Sequence, residues 1–322
     1  MQVYTDIPIV KELSLTDAPV GQVSRYWVHI VSGGMGLPIM IPVLVARGPH
    51  EGPVLGITAA VHGNELNGLP VIQKVFQMIN VGRLHGTLVG VPVMNVPGFL
   101  MNQRFFNDGR DLNRLMPGKP DGSTSEVYAH RLIKKVAHHF QYMIDLHTAS
   151  FGRINSYYIR ADMTNPITAR MAELQNADIL VNNAGGDGTL RSAVADLGIH
   201  AITVEAGDPQ KFQRGMIRSA VTGIFNVMSD LKMVDDPIIP PDQTPVRCMR
   251  SYWIYTTAGG ILEVFPKITE YVRKDQRIAI VRNIFGDITR EYFAPEDGIV
   301  VGKSTNPVNQ TGGRILHLGV QL

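Results

Sequence analysis

Cysteine is almost missing from this 322-residue chain: Cys248 stands alone. An internal disulfide and a cysteine-based zinc site are both excluded, and an intracellular, cytoplasmic chain is the expectation. An excess of charge of one sign is missing too. Thirty basic side chains face 28 acidic ones, for a net charge of +2, which argues against a broad footprint for nucleic acid. No apolar run approaches the ~20 residues of a spanning helix. The opening MQVYTDIPIVKELSL lacks the basic-then-apolar order of a signal peptide, so no membrane partner is expected. What is present is ordinary globular material, 44% hydrophobic and 18% charged, on a chain long enough for two domains. The 14 methionines are scattered and read as fillers of core gaps.

Strand and helix signals alternate through the first two thirds. Three β-rich runs (VSRYWVHIV, LPIMIPVLVA and PVLGITAA) are separated by SGGMG and RGPHEG, which reads as strand, hairpin, strand. In LPVIQKVFQMI the residues Leu69, Ile72, Val75, Phe76 and Ile79 recur at helical spacing. TLVGVPV, YMIDLHT, NSYYI, DILV and HAITVEA read as further strands, with helices at EVYAHRLIKKVAHHF, ITARMAELQ and TLRSAVADLG and beyond Phe212. The pattern implies a three-layer α/β domain with a parallel or mixed sheet, whose ligands bind at the carboxyl ends of its strands. The irregular stretch 94–124 is longer than a compact domain tolerates without a use for it. Four prolines in VDDPIIPPDQTP mark a stiff connector. The expected division is a catalytic domain over 1–234 and a small all-β domain over 245–322, where short β runs alternate with Gly, Asp and Asn turns.

His62-Gly63-Asn64-Glu65 lies directly after a buried strand and before a helix, where a site belongs. An imidazole and a carboxylate three residues apart can converge on one divalent ion if the backbone turns, and nitrogen with oxygen ligation suits zinc. A capping glutamate beside a surface histidine is the alternative. His147, ending YMIDLHT, could be the third ligand of a catalytic zinc; its alternative is a histidine bonded to neighbouring Asp145. Glu205 lies at the end of the strand HAITVEA, one residue before its last. A glutamate there can take a proton from an attacking water and return it to a leaving amine. Arginines in RFFNDGRDLNR, from Arg104 to Arg114, can neutralise an oxyanion or grip a carboxylate in two-pronged fashion. Three other features are set aside. GIVVGKS (298–304) misses the phosphate-loop spacing by one residue. His138-His139 suits a helix end, and His50-Glu51 lacks the second histidine of a zinc-protease helix.

Taken together, these motifs resemble the succinylglutamate desuccinylase/aspartoacylase family, within the zinc carboxypeptidase-like superfamily. ITAAVHGNELNG and MIDLHTAS resemble its zinc motifs, which implies His62, Glu65 and His147 as ligands of one Zn2+ per chain. RFFNDGRDLNRLMPG is similar to its Asp-Leu-Asn-Arg block. That match implies Asp111 orienting His62, and Asn113 and Arg114 binding a substrate carboxylate. Arg104 matches the oxyanion-stabilising arginine, with Arg110 a competitor. TVEAGD matches the block of the general base, Glu205, and Arg191 matches an arginine that reaches the substrate's acyl or side-chain carboxylate, with a helix-surface arginine as the alternative. The resemblance runs from about Gly21 to the C-terminus in unbroken motif order. It implies a zinc-carboxypeptidase-like domain with a mixed sheet, plus a barrel-sandwich-like β module bordering the pocket and offering it a tyrosine not identifiable from sequence. No Met-Lys-Met hairpin is present, which argues against a carried biotin.

The expected activity is zinc-dependent hydrolysis of the amide of N-acylated amino acids or related small carboxylates, so the expected partner is a small-molecule N-acyl amino acid. A metallo-carboxypeptidase acting on short peptides, or a zinc-binding protein without turnover, are the alternatives. The acyl group, the amine and the oligomeric state are not legible, and a homo-oligomer is compatible with base rates alone.

Overall fold

In the computed structural model, which describes residues 6–321, the chain opens with strands β1 (Ile9–Val10), β2 (Gln22–Ser32), β3 (Pro38–Arg47) and β4 (His50–Ala59). Helix α1 (Gly68–Met78), strand β5 (His85–Val91) and helices α2 (Val96–Leu100) and α3 (Thr124–Lys135) follow. Then come β6 (Tyr142–His147), β7 (Arg153–Asn155), β8 (Tyr157–Ala161), α4 (Pro166–Glu173), β9 (Ile179–Asn182), α5 (Leu190–Ala195), β10 (His200–Ala206), α6 (Arg214–Asp230) and β11 (Val246–Cys248). These strands, β7 excepted, form one ten-stranded sheet in the order β1-β2-β3-β5-β4-β6-β10-β8-β9-β11. Its centre is parallel, β5 with β4, β4 with β6, β6 with β10, while β2, β3 and β8 join antiparallel. The mixed sheet is as the alternation of strand and helix implies.

Apolar side chains on the two faces of the sheet seat the helices as separate layers. Val71, Ile72 and Val75 of α1, Met171 of α4 and Ile224 of α6 pack in one buried cluster. Tyr128 and Leu132 of α3 and Leu190 and Val194 of α5 pack in another. Because β6 is covered on both sides, five of its six residues are buried and its sequence is nearly continuous hydrophobe. Two inward polar residues interrupt it, Asp145 and His147, two positions apart and therefore on one face. No described helix is long and apolar enough to cross a membrane.

After the proline-rich connector the chain adds one more strand to the large sheet, β11 pairing with β9. At Arg250 it crosses into the C-terminal module: β12 (Arg250–Tyr255), β13 (Gly260–Val264), β14 (Tyr271–Val272), β15 (Arg277–Arg282), β16 (Ile288–Phe293), β17 (Gly298–Ser304), β18 (Val308–Asn309) and β19 (Arg314–Val320). These strands form two open antiparallel sheets, not a closed barrel, in the orders β12-β19-β17-β14 and β16-β15-β13-β18. Leu262, Val281, Leu316 and Leu318 fill the space between them. A reciprocal exchange stitches the module on, since β7, from the middle of the chain, pairs with β17. Short strands recruited by a distant partner carry little signal of their own, and neither β7 nor β11 is legible in the sequence.

Candidate active site

Three neighbouring strand ends assemble the site. After β4 the backbone turns sharply at Ala60 (φ 51°) and delivers His62. Gly63 is required there, because a Cβ would land on the backbone of Gly98 and Phe99, and the turn then brings Glu65 back beneath the imidazole. His147 is the last residue of β6, and Glu205 lies opposite it in parallel register on β10. His62, Glu65 and His147 are all buried, at 4%, 2% and 4% exposure, and one ligand atom from each lies within 4.8 Å of the other two.

Carboxylates fix the outer nitrogen of each imidazole. Asp111 Oδ1 is 3.0 Å from His62 Nε2, and Asp145 Oδ2 is 2.7 Å from His147 Nε2. Thr58 Oγ1 donates to the other oxygen of Asp145 at 2.7 Å. Both Nδ1 atoms therefore face Glu65, at 2.9 Å from Oε1 for His62 and 3.0 Å from Oε2 for His147. His62 Nδ1 is buried without a hydrogen bond. A buried orphan nitrogen, a second inward nitrogen and a carboxylate, each braced from behind, fit a divalent metal such as zinc. The two readings of His147 are thus compatible: the bond to Asp145 uses Nε2 and leaves Nδ1 for the site.

The electrostatics are tightly coupled. Burial alone would raise the Glu65 carboxyl, but His62 and His147 outweigh it and hold it well below its ordinary range. Burial likewise opposes charge on His147, yet Asp145 and Glu65 raise its proton affinity well above the usual value. Asp111 is lowered against its own burial by His62 and Arg104. Glu205 moves the other way: desolvation raises it, with Arg160 as the main opposing charge. Its Oε2 accepts from Asn155 Nδ2 at 3.1 Å, and Arg160 Nε is 3.8 Å from Oε1.

The loop 104–114 brings its residues to the same cavity, of about 390 Å³. Arg104 grips Asp111 Oδ2 in two-pronged fashion at 2.8 and 3.1 Å, donates to Glu65 Oε1 at 3.0 Å and bonds the Ser150 hydroxyl. Arg110 is elsewhere: it binds Ser123 Oγ at 2.5 Å and Glu126 at 3.3 Å, at the N-terminal cap of α3. Of the two competing arginines, the structure puts Arg104 in the pocket. Asn113 accepts the Leu190 N–H on Oδ1 at 2.7 Å, which leaves its Nδ2 for the cavity. Arg114 Nη1 reaches the Asp187 carbonyl at 3.2 Å. Arg191 is 3% exposed and held by Asn183 at 2.6 and 3.1 Å, so it is not a helix-surface arginine.

The sequence did not point to Ser150, Arg153, Asn155, Tyr158, Arg160, Trp253 or Arg314, all of which line the cavity. The one available signal was Tyr158 and Arg160, two apart in the apolar strand YYIRA and thus sharing a face. The C-terminal module does border the pocket, but among the described lining residues it contributes Trp253 and Arg314 in place of the expected tyrosine. Tyr252 instead donates to Glu296 at 2.7 Å. The reason is strand alternation, which turns successive residues of β12 to opposite faces.

The comparisons with known proteins agree with this geometry. Residues 51–231, more than half of the chain, match the model of the succinylglutamate desuccinylase/aspartoacylase catalytic domain. A protein of Halomonas elongata, N-alpha-acetyl-L-2,4-diaminobutyric acid deacetylase, is 26% identical over 286 residues, covering 82% of this chain and 81% of that protein. The product-bound ectoine utilization protein EutE (DoeB) from Ruegeria pomeroyi superposes with a TM-score of 0.85 at 21% identity, over 95% of this chain and 98% of that one. A succinylglutamate desuccinylase/aspartoacylase from Rhodobacter sphaeroides gives 0.84 at 20% identity, over 97% and 100%. With the catalytic-domain match spanning His62, Glu65, Arg104, His147 and Glu205, the chain belongs to the succinylglutamate desuccinylase/aspartoacylase family.

Proposed function

We propose that this protein is a zinc-dependent amidohydrolase that removes the acyl group from an N-acylated amino acid or a related small carboxylate. The observation that carries the reading is Glu205, half-buried and raised in proton affinity, in register with His147 beside a braced His-Glu-His cluster. His62 Nδ1, Glu65 and His147 Nδ1 would hold the ion. A divalent ion held there supplies Lewis acidity toward a carbonyl and a water.

The remaining work falls to side chains of this chain. Glu205 accepts the proton of the attacking water and passes it to the departing nitrogen. Desolvation suits it to keep that proton between the two steps. Asn155 Nδ2 fixes Oε2, so Oε1, which faces Arg160 Nε at 3.8 Å, is the oxygen that transfers the proton. Arg104, a guanidinium beside Glu65, neutralises charge growing on the carbonyl oxygen. Asn113 Nδ2 and Arg114 bind the substrate's carboxylate and Arg191 reaches its acyl or side-chain carboxylate, while Asp111 and Asp145 keep the imidazoles oriented. The deacetylase relative acts, by its name, on an acetylated amino acid, which supports the substrate class.

A peptidase acting on short peptides is disfavoured by the bordering module, which adds Trp253 and Arg314 to the wall of the pocket. A binding protein without turnover has no use for a general base beside the cluster. The decisive experiment is metal analysis joined to a hydrolysis screen of acetylated, succinylated and longer-acylated amino acids against short peptides. Stoichiometric zinc with turnover of N-acyl amino acids is expected. Turnover of peptides alone, or a metal-free protein that hydrolyses at full rate, would sink the reading.

A further inference from the structure

A second cleft, of about 1010 Å³, opens where α6, the proline-rich connector and the module meet. It shares no lining residue with the catalytic pocket. Neighbouring residues of β8 turn to opposite faces of the sheet, and Tyr158 lines the catalytic pocket while Tyr157 lines the cleft. Met216, Ile239, Ile268 and Ile299 give the cleft apolar walls, and Ser219 and Thr222 of α6 add hydroxyls. Three charged side chains also line it, Asp178, Arg218 and Asp242. Among the described residues, none of the three has an ion pair.

Two polar groups at its floor are left without partners. Tyr157 is 4% exposed, and its hydroxyl is buried with no hydrogen bond. Buried polar atoms are nearly always paired, so such an exception needs a cause. Asp178 stands beside it. This residue directly precedes β9, and its N–H donates to the Tyr157 carbonyl at 3.0 Å. The next residues along, Tyr158 and Ile179, pair in parallel register, so Tyr157 and Asp178 leave the sheet on the same side, the side where Tyr157 packs with Ile217 and Ile224 of α6. Burial and the nearby Asp178 charge push the Tyr157 phenol up, although no hydrogen bond joins the two side chains. Asp178 itself reaches solvent. Desolvation nonetheless raises its carboxyl, opposed by a hydrogen bond with the Tyr157 backbone and by no cation.

A carboxylate short of a cation and a phenol short of a partner are satisfied together by one group, an ammonium, whose three N–H donors can reach both oxygens. A bare metal ion does not suit the cleft, because the one cluster of metal-ligating side chains among the described residues lies in the catalytic pocket. An anion at this floor would be repelled by Asp178. We propose that the cleft is a binding site for a small alkylammonium compound, with its ammonium on Asp178 and the Tyr157 hydroxyl and its methylenes against Met216 and Ile239. The compound is a free amine or an amino acid, and in the second case Arg218 takes the carboxylate. The site needs no metal and stands apart from the hydrolase reading.

Calorimetric titration and thermal unfolding of the full chain with butylamine, 1,4-diaminobutane, γ-aminobutyrate and butyrate, at matched ionic strength, test this. The three amines should bind and raise the melting temperature, and butyrate should do neither. Asp178→Asn should weaken amine binding by about tenfold or more, and Tyr157→Phe by about two- to tenfold. Asp178 is exposed, so its variant is expected to fold even if the Tyr157 variant does not. Glu205→Gln should bind the amines as the wild type does, which separates the cleft from the catalytic pocket. Tighter binding of γ-aminobutyrate than of butylamine, with the difference erased by Arg218→Gln, identifies an amino acid as the occupant; equal or tighter binding of the plain amines identifies a free amine. Absence of amine binding, binding that survives Asp178→Asn, binding lost in Glu205→Gln, or equal stabilisation by butyrate overturns the site.

Discussion

Glu205 and His147 occupy paired positions on adjacent parallel strands, so the proposed general base and the proposed metal ligand are set side by side by backbone hydrogen bonding and not by loop conformation. Strand ends of this kind hold side chains more rigidly than loops do. Replacing Glu205 by Gln preserves shape and the bond from Asn155 while removing the proton acceptor. Turnover should fall by about 10²–10⁴ with metal content unchanged in the purified protein. A Gln variant retaining near-normal rates would disprove the assignment of the base.

The carboxylates behind the imidazoles make a graded prediction. His147→Ala removes a proposed ligand and should abolish both metal binding and activity. Asp145→Asn keeps the ligand but weakens the brace at 2.7 Å, and should loosen the metal by about 10–100-fold. Competition against a fluorescent chelator measures both. Equal affinity in the Asp145 variant and the wild type would mean that the brace is ornamental to binding.

Much of this site was legible from sequence because its residues sit where pattern is strongest. His62, His147 and Glu205 each end a buried apolar run, and strand ends in an open α/β sheet converge. The loop 104–114 was legible by motif, although Arg104 and Arg110 could be separated only by seeing that Arg110 goes to the cap of α3. Arg153, Asn155, Trp253 and Arg314 were not legible. Their strands reach the pocket through pairings between residues far apart in the chain, β7 with β17 above all, and register across such a distance leaves no local periodicity.

That division of the two arginines is testable. Arg104→Lys keeps the charge but loses the two-pronged grip on Asp111, and kcat/KM should fall by about 10²-fold or more. Arg110→Ala should leave kcat/KM within a factor of about two, because an exposed ion pair contributes little. The reverse ranking in steady-state assays would reinstate Arg110.

Cys248 reports on the junction of the two β systems. It is 2% exposed and packs with Val181 of the large sheet and Val301 of the module, and burial pushes its thiol up to about 11. Thiolate is the reactive form, so native protein at pH 8 should resist a disulfide-exchange reagent and react with one equivalent only once denaturant opens the junction. Rapid stoichiometric labelling of the native protein would mean that the module separates from the large sheet far more readily than this packing implies.

The turn that carries His62 and Glu65 offers the last test. An added Cβ at Gly63 meets the backbone of Gly98 and Phe99, and backbone cannot swing aside as a flexible side chain would. The neighbouring segment is pinned as well, since Asn95 Oδ1 accepts the Gly98 N–H at 2.9 Å and Met94 and Asn95 donate their N–H groups to Ala59 and Ala60 at 2.9 Å. Relief must therefore come from the turn itself, moving His62 relative to Glu65. Gly63→Ala should cost about 1–3 kcal/mol of stability and weaken metal binding by a larger factor than its loss of stability alone would produce. Gly109→Ala is the control, because open space surrounds its Cβ position (φ 80°), so it should show only the modest strain of a positive φ with metal affinity intact. Denaturant unfolding of both variants with and without metal separates the outcomes. A Gly63 variant that binds metal as tightly as the Gly109 control would show that the ligand pair tolerates displacement of its turn.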